Sequence, residues 1–195
     1  GFCPPVTLRD QIPPTEQDDT YRMRLVQGEV QDENAAAMGG VAGHAGLFAP
    51  VLDVAIFAQC MLQSGAPILR RETVQLFTSR PTASSCLSDL GKSLTLVGSN
   101  SSDNHQATAN ALSATSDHKL LGWDVPTGAS QSGRYFSARA FGHLGYSGTS
   151  LWIDPERSLT VVLLTNRTWP DRKSQLIKQL RTALHDAVVV ALAMS

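Results

Sequence analysis

The chain has 195 residues, 42% hydrophobic and 17% charged, with a formal net charge of −1. That is a globular balance, long enough for one substantial domain or part of a larger one. It lacks the clustered basic excess of a nucleic-acid-binding protein, and its longest apolar run, Ala187 to Met194, falls well short of the roughly 18 residues a membrane span needs.

Cys3, Cys60 and Cys86 are too few and too scattered for a disulfide framework, and none has zinc-like spacing. Asp32, Glu33 and Asn34 have no further carboxylates at the spacing of a calcium loop. No metal or organic cofactor is implied. The chain opens Gly1-Phe2-Cys3-Pro4-Pro5, without initiator Met, charged n-region or apolar h-region, and is expected to be a fragment of a longer protein.

In chain order, residues 1–34 are rich in Pro, Asp, Glu and Gln and read as an irregular surface segment. Residues 35–49, AAAMGGVAGHAGLFA, read as a tight glycine-rich loop packed against a neighbour. A helix is predicted from Val51 to Ser64, with Leu52, Ala55, Ile56, Gln59 and Leu62 at 3–4 spacing and Gly65 as its stop. A second is predicted over Arg71 to Thr78, with Glu72 in its first turn. Residues 82–118, dominated by Ser, Thr, Asn and Ala, read as a surface insertion with a weak strand at Ser93–Val97.

The last third reads as strands at Tyr135–His143, Thr149–Ile153 and Leu159–Thr165, with a turn at Asp154-Pro155-Glu156-Arg157. A helix follows from Asp171 to about Ala193, with an expected apolar stripe of Leu176, Leu180, Leu184, Ala187 and Ala191. The expected fold is α/β: an antiparallel three-strand meander flanked by helices.

Phe141-Gly-His-Leu-Gly-Tyr-Ser-Gly-Thr-Ser-Leu-Trp-Ile-Asp-Pro155 resembles the third active-site motif of the β-lactamase-like, penicillin-binding serine hydrolases. Val161-Val-Leu-Leu-Thr-Asn166, Leu120-Leu-Gly-Trp-Asp124 and Gly39-Gly-Val-Ala-Gly-His-Ala-Gly-Leu-Phe48 are similar to neighbouring family elements, so the resemblance covers most of residues 12–170 apart from the insertion. It implies that the chain is the C-terminal part of one such domain, incomplete at the N-terminal side. It also implies a serine hydrolase acting on a β-lactam, a D-amino-acid peptide or an ester, periplasmic or secreted.

The family's Ser-x-x-Lys and Tyr-x-Asn motifs are absent from the expected place. Ser116-Asp-His-Lys119 and Ser102-Asp-Asn104 fit such motifs literally, but in reversed order and too close together for an intervening helical domain. By resemblance, His143 takes the position where many relatives carry Lys and would donate a hydrogen bond or shuttle a proton. The backbone N–H of Tyr146 would serve the oxyanion. Leu144, Gly145 and Ser147 would line the substrate, with Gly145 keeping the strand edge clear for it.

His44 reads as a loop histidine bonded to backbone, and Trp123 and Trp152 as core. The expected partner is a small-molecule or peptide substrate, and the oligomeric state is open. The rival expectation is a non-catalytic protein of the same fold that binds peptide or cell-wall material.

Overall fold

The β-branched run Leu159–Leu163 and the alternating segment Ser150–Asp154 form the two strands around which the rest is arranged. The computed structural model describes residues 1–80, 119–128 and 130–194. The expected insertion at 82–118, its strand at Ser93–Val97, and the Ser102–Asn104 and Ser116–Asp117–His118 strings lie outside the described residues.

Three antiparallel strands, β3 (Phe141–Leu144), β4 (Ser150–Asp154) and β5 (Leu159–Leu163), pair in the order β3-β4-β5. Gly142 lies opposite Trp152, which lies opposite Val161. Period-two alternation sends Phe141 and Ile153 to one face, against Ala58, Met61 and Val74. Trp152 and Val161 point to the other, with Phe136, Ala140 and Val189. Helix α2 (Val51–Leu62) covers the first face and the C-terminal helix, α4 (Leu176–Ala193), the second. Trp152 and Ile153 are fully buried, and burial of such side chains contributes about 1.5–3 kcal/mol each.

The expected strand at Tyr135–His143 shrinks to Phe141–Leu144 because Asp154 claims the backbone upstream. Its carboxylate accepts the Ser137 N–H at 2.8 Å and the Ser137 hydroxyl at 2.6 Å. It also accepts the N–H groups of Glu156 and Arg157, closing the β4–β5 turn. Burial opposes its ionisation, but these bonds hold the carboxyl below the usual range.

Helix α3 is Arg71–Thr78 as expected. Both long helices turn a different face inward from the one their spacing selects. In α2 the buried residues are Ala58, Cys60 and Met61, while Leu52 and Ile56 face solvent. The helix is apolar on most sides, so spacing alone does not choose a face. Its stop is as expected: the Gly65 N–H bonds back to the Cys60 carbonyl at 2.8 Å with φ +99. In α4 the buried ladder is Ile177, Arg181, His185 and Val189, whereas Leu176 and Leu180 are exposed. The helix starts at Leu176 rather than Asp171, because the Arg172 and Ser174 carbonyls are taken by the Arg167 guanidinium.

Residues 1–34 are more regular than their composition suggests. A 3-10 helix (Val6–Gln11) precedes a two-stranded ribbon of β1 (Glu16–Asp18) and β2 (Arg24–Val26), with Gln17 opposite Leu25. Its inward residues Glu16 and Asp18 are acidic, an inversion of the usual strand pattern. Asp18 accepts the N–H groups of Thr20, Tyr21 and Arg22 and so builds the turn.

Helix α1 (Glu33–Ala37) is capped by Asp32, which accepts the Ala35 N–H at 2.8 Å. The rest of 35–49 is mostly half-buried or exposed, touching the N-terminus through a Phe2–Leu47 bridge, so the expected close packing is only partial.

Candidate active site

His143, Leu144, Gly145, Tyr146 and Ser147 run off the end of β3 into the turn that leads to β4. Gly142 exchanges both of its backbone bonds with Asp124, at 2.7 and 3.0 Å, on the side away from β4. By ladder alternation the N–H and C=O of Leu144 face that same side. No described residue pairs with Leu144 there, so the strand edge opens at this point. The Leu144 side chain turns the other way and packs on the Trp152 cluster, leaving only its backbone for the edge. His143 projects from the α2 face, exposed, with no hydrogen-bond or ion-pair partner among the described residues.

The turn is closed by the Gly145 N–H to the Thr149 carbonyl at 2.8 Å and the Gly148 N–H to the Gly145 carbonyl at 3.1 Å. A side chain at Gly145 would run into Thr149 Oγ1. Thr149 would have to shift to accept a side chain there. The Tyr146 N–H finds no acceptor among the described residues.

Every carbonyl from residue 145 to 149 is held. Arg181 donates to those of Gly145 (2.6 Å), Gly148 (3.1 Å) and Thr149 (2.6 Å). The Arg167 Nε donates to the Tyr146 carbonyl at 2.8 Å, and the Arg167 N–H to that of Ser147 at 2.7 Å. The Arg167 guanidinium also lies 4.2 Å from the centre of the Tyr146 ring. Neither arginine is singled out by the motifs. The available signal was the i, i+4 ladder Ile177–Arg181–His185–Val189, which a search for apolar residues passes over.

Behind the turn, the His185 Nδ1–H donates to the Gln131 carbonyl at 3.0 Å, and its Nε2 accepts from the Ser150 hydroxyl at 3.1 Å. Burial, with Arg181 adding to it, lowers the His185 pKa, in the direction of this neutral arrangement.

The remaining expected residues fall elsewhere. His44 bonds to the Asp32 carboxylate at 3.0 Å, not to backbone. The Ala35 N–H first, then His44, hold the Asp32 carboxyl below its usual range. Trp152 is core, and Trp123 packs edge-on against Phe141 at 5.2 Å. Among the described residues no three or more His, Cys, Asp or Glu side chains are placed to hold a metal ion. Two shallow clefts of about 260 and 310 Å³ lie away from His143 and Tyr146. The open edge at the end of β3, from Leu144 to Ser147, presents one wall.

Comparison with known proteins identifies the frame that carries this wall. The chain is 32% identical over 154 residues to a putative D-alanyl-D-alanine carboxypeptidase of Escherichia coli, covering 75% of the chain and 28% of the relative. It is 34% identical over 159 residues to an N-acetylmuramyl-L-alanine amidase of Bacillus subtilis, covering 77% and 29%. The chain thus spans less than a third of the length of these relatives. A crystal structure of a beta-lactamase from Mycobacterium bovis superposes with a TM-score of 0.50 at 23% identity, over 75% of this chain and 46% of that one, which supports the shared fold. The Beta-lactamase family model matches residues 7–184, and the chain belongs to that family.

Proposed function

We propose that this chain forms one wall of the acyl-transfer site of a serine hydrolase that cleaves amide or ester bonds, with D-amino-acid peptides as the favoured substrate class. The observation that carries the reading is the Tyr146 N–H, without an acceptor among the described residues, at the end of an open strand edge. The putative D-alanyl-D-alanine carboxypeptidase name of one relative supports the substrate class, and the amidase name of the other supports amide cleavage. Because the chain spans so little of their length and lacks the Ser-x-x-Lys motif in the expected place, the attacking serine is assigned to a part of the protein outside these residues. The family resemblance suggests action in the periplasm or at the cell exterior.

In this reading the substrate backbone lies along Leu144 as an added strand, bordered by Gly145 and Ser147. The serine oxygen attacks the carbonyl carbon, and its proton passes through a base to the leaving group. The oxyanion receives the Tyr146 N–H and the N–H of the serine itself. Water then releases the acyl group. His143, free on the exposed face, donates a hydrogen bond to substrate or relays a proton.

Intact-mass spectrometry after incubation with a fluorophosphonate or a labelled penicillin tests this. One adduct is expected on the full-length protein and none on the 195-residue chain, with slower labelling in His143→Ala. An adduct on the chain alone would move the nucleophile to Ser116. No adduct on either would favour a non-catalytic protein that binds peptide or cell-wall material.

A further inference from the structure

Arg181 is 4% exposed, yet its hydrogen-bond partners are the Gly145, Gly148 and Thr149 carbonyls and Gln131 Oε1, with no carboxylate among them. A buried cation costs a great deal unless it is paired and hydrogen-bonded. Here the compensation comes from dipoles of one turn, the turn that carries Tyr146.

Across a trans peptide the carbonyl of one residue and the N–H of the next point in opposite directions. Holding the Gly145 carbonyl against Arg181 therefore turns the Tyr146 N–H away from α4, toward the open edge. The charge also draws electron density toward the Gly145 oxygen, which strengthens the N–H at the other end of the peptide as a donor.

We propose that Arg181 is a positioning residue for the acyl-transfer site, aiming and polarising the Tyr146 N–H through the Gly145 carbonyl. This rests on the function proposed above. Arg167 holds the next two carbonyls and keeps the turn from rolling once Arg181 has set its first peptide.

The turn does not depend on Arg181 for closure. The Gly145 carbonyl keeps the Gly148 N–H, and the Thr149 carbonyl keeps the Gly145 N–H. Removal of the guanidinium is therefore expected to loosen the direction of one peptide rather than unfold the strand.

The experiment uses the full-length protein, wild type and Arg181→Met, with a chromogenic ester and its thionoester analogue, whose sulfur accepts hydrogen bonds poorly. Arg181→Met is expected to lower kcat for the ester about tenfold or more at nearly constant KM, as for a weakened oxyanion donor. The thionoester should lose less, so the ester-to-thionoester ratio falls. Arg181→Lys, which keeps the charge but not the fork, should recover part of that ratio. Equal losses on both substrates, a loss carried by KM, or an unchanged ratio would overturn the proposal. If Arg181→Met does not accumulate, the ratio is read on Arg181→Lys, where a value equal to wild type overturns it. A wild type that forms no adduct and turns over neither ester overturns the functional reading, and this inference with it.

Discussion

The N-terminal ribbon and the three-stranded sheet are held together by opposite means. In the sheet, Phe141 and Ile153 are buried against Ala58, Met61 and Val74, and Trp152 and Val161 against Phe136, Ala140 and Val189. In the ribbon the inward residues are Glu16 and Asp18, satisfied by Arg172 and Arg22. Arg22 goes on to the Val30 and Gln31 carbonyls, and Arg172 to Glu33. The ribbon joins the strand end beyond β5 through Asn166 and Thr168, which donate to the Pro14 and Thr15 carbonyls. The sheet is supported by non-directional burial, which tolerates repacking. The ribbon depends on directional bonds, each of which leaves a stranded partner when cut.

The largest test of that contrast is truncation on each side. Trp152→Ala is expected to cost about 3–5 kcal/mol in urea denaturation, through loss of apolar contact and a residual cavity. Asp18→Ala is expected to cost about 3 kcal/mol, because it leaves the Arg22 guanidinium buried without its carboxylate. The two should differ under repair. Trp152→Phe recovers much of its loss, whereas Asp18→Leu, which restores volume but no acceptor, recovers little. Equal recovery would erase the distinction.

Acidification should separate the regions next. His185 has a folded pKa depressed below its unfolded value of about 6.5, so its contribution is complete above that pH and is lost as pH falls toward the folded value. Asp18, Asp32 and Asp154 have depressed carboxyl pKa values; their contributions persist above about pH 4 and are lost below it. Hydrogen-exchange protection in β4 and α4 is therefore expected to weaken as pH falls below about 6.5, while β1 and β2 hold until below about pH 4. Simultaneous loss in both regions near pH 6 would contradict this assignment.

The smallest expected effect is at α1. Asp32→Ala removes a cap and the His44 partner, and should cost about 1 kcal/mol, read as a modest fall in Tm. Exchange should quicken first at Ala35, whose N–H loses its acceptor.

Legibility followed the same division. The meander, the Asp154 turn and helices α2 and α3 were readable because each rests on local chemistry or on period-two burial. The ribbon was not, since charged residues at Glu16 and Asp18 read as surface until their arginine partners are seen. The strand at 135–140 failed for a similar reason: Ser137 is taken by Asp154, 17 residues away. The motif singled out His143 through Ser147, but not the two arginines that hold the turn.

The amino-acid sequence by itself determined the strand order in the chain, the Asp154 turn, the Gly65 helix stop, and the motif that places the chain in its family, because these depend on neighbours within a few residues. Only the tertiary structure decided which face each helix buries, that Arg181 and His185 lie inside, and that the 145–149 carbonyls face two arginines. Those outcomes depend on partners tens of residues away, where a polar group's cost is set by whatever meets it.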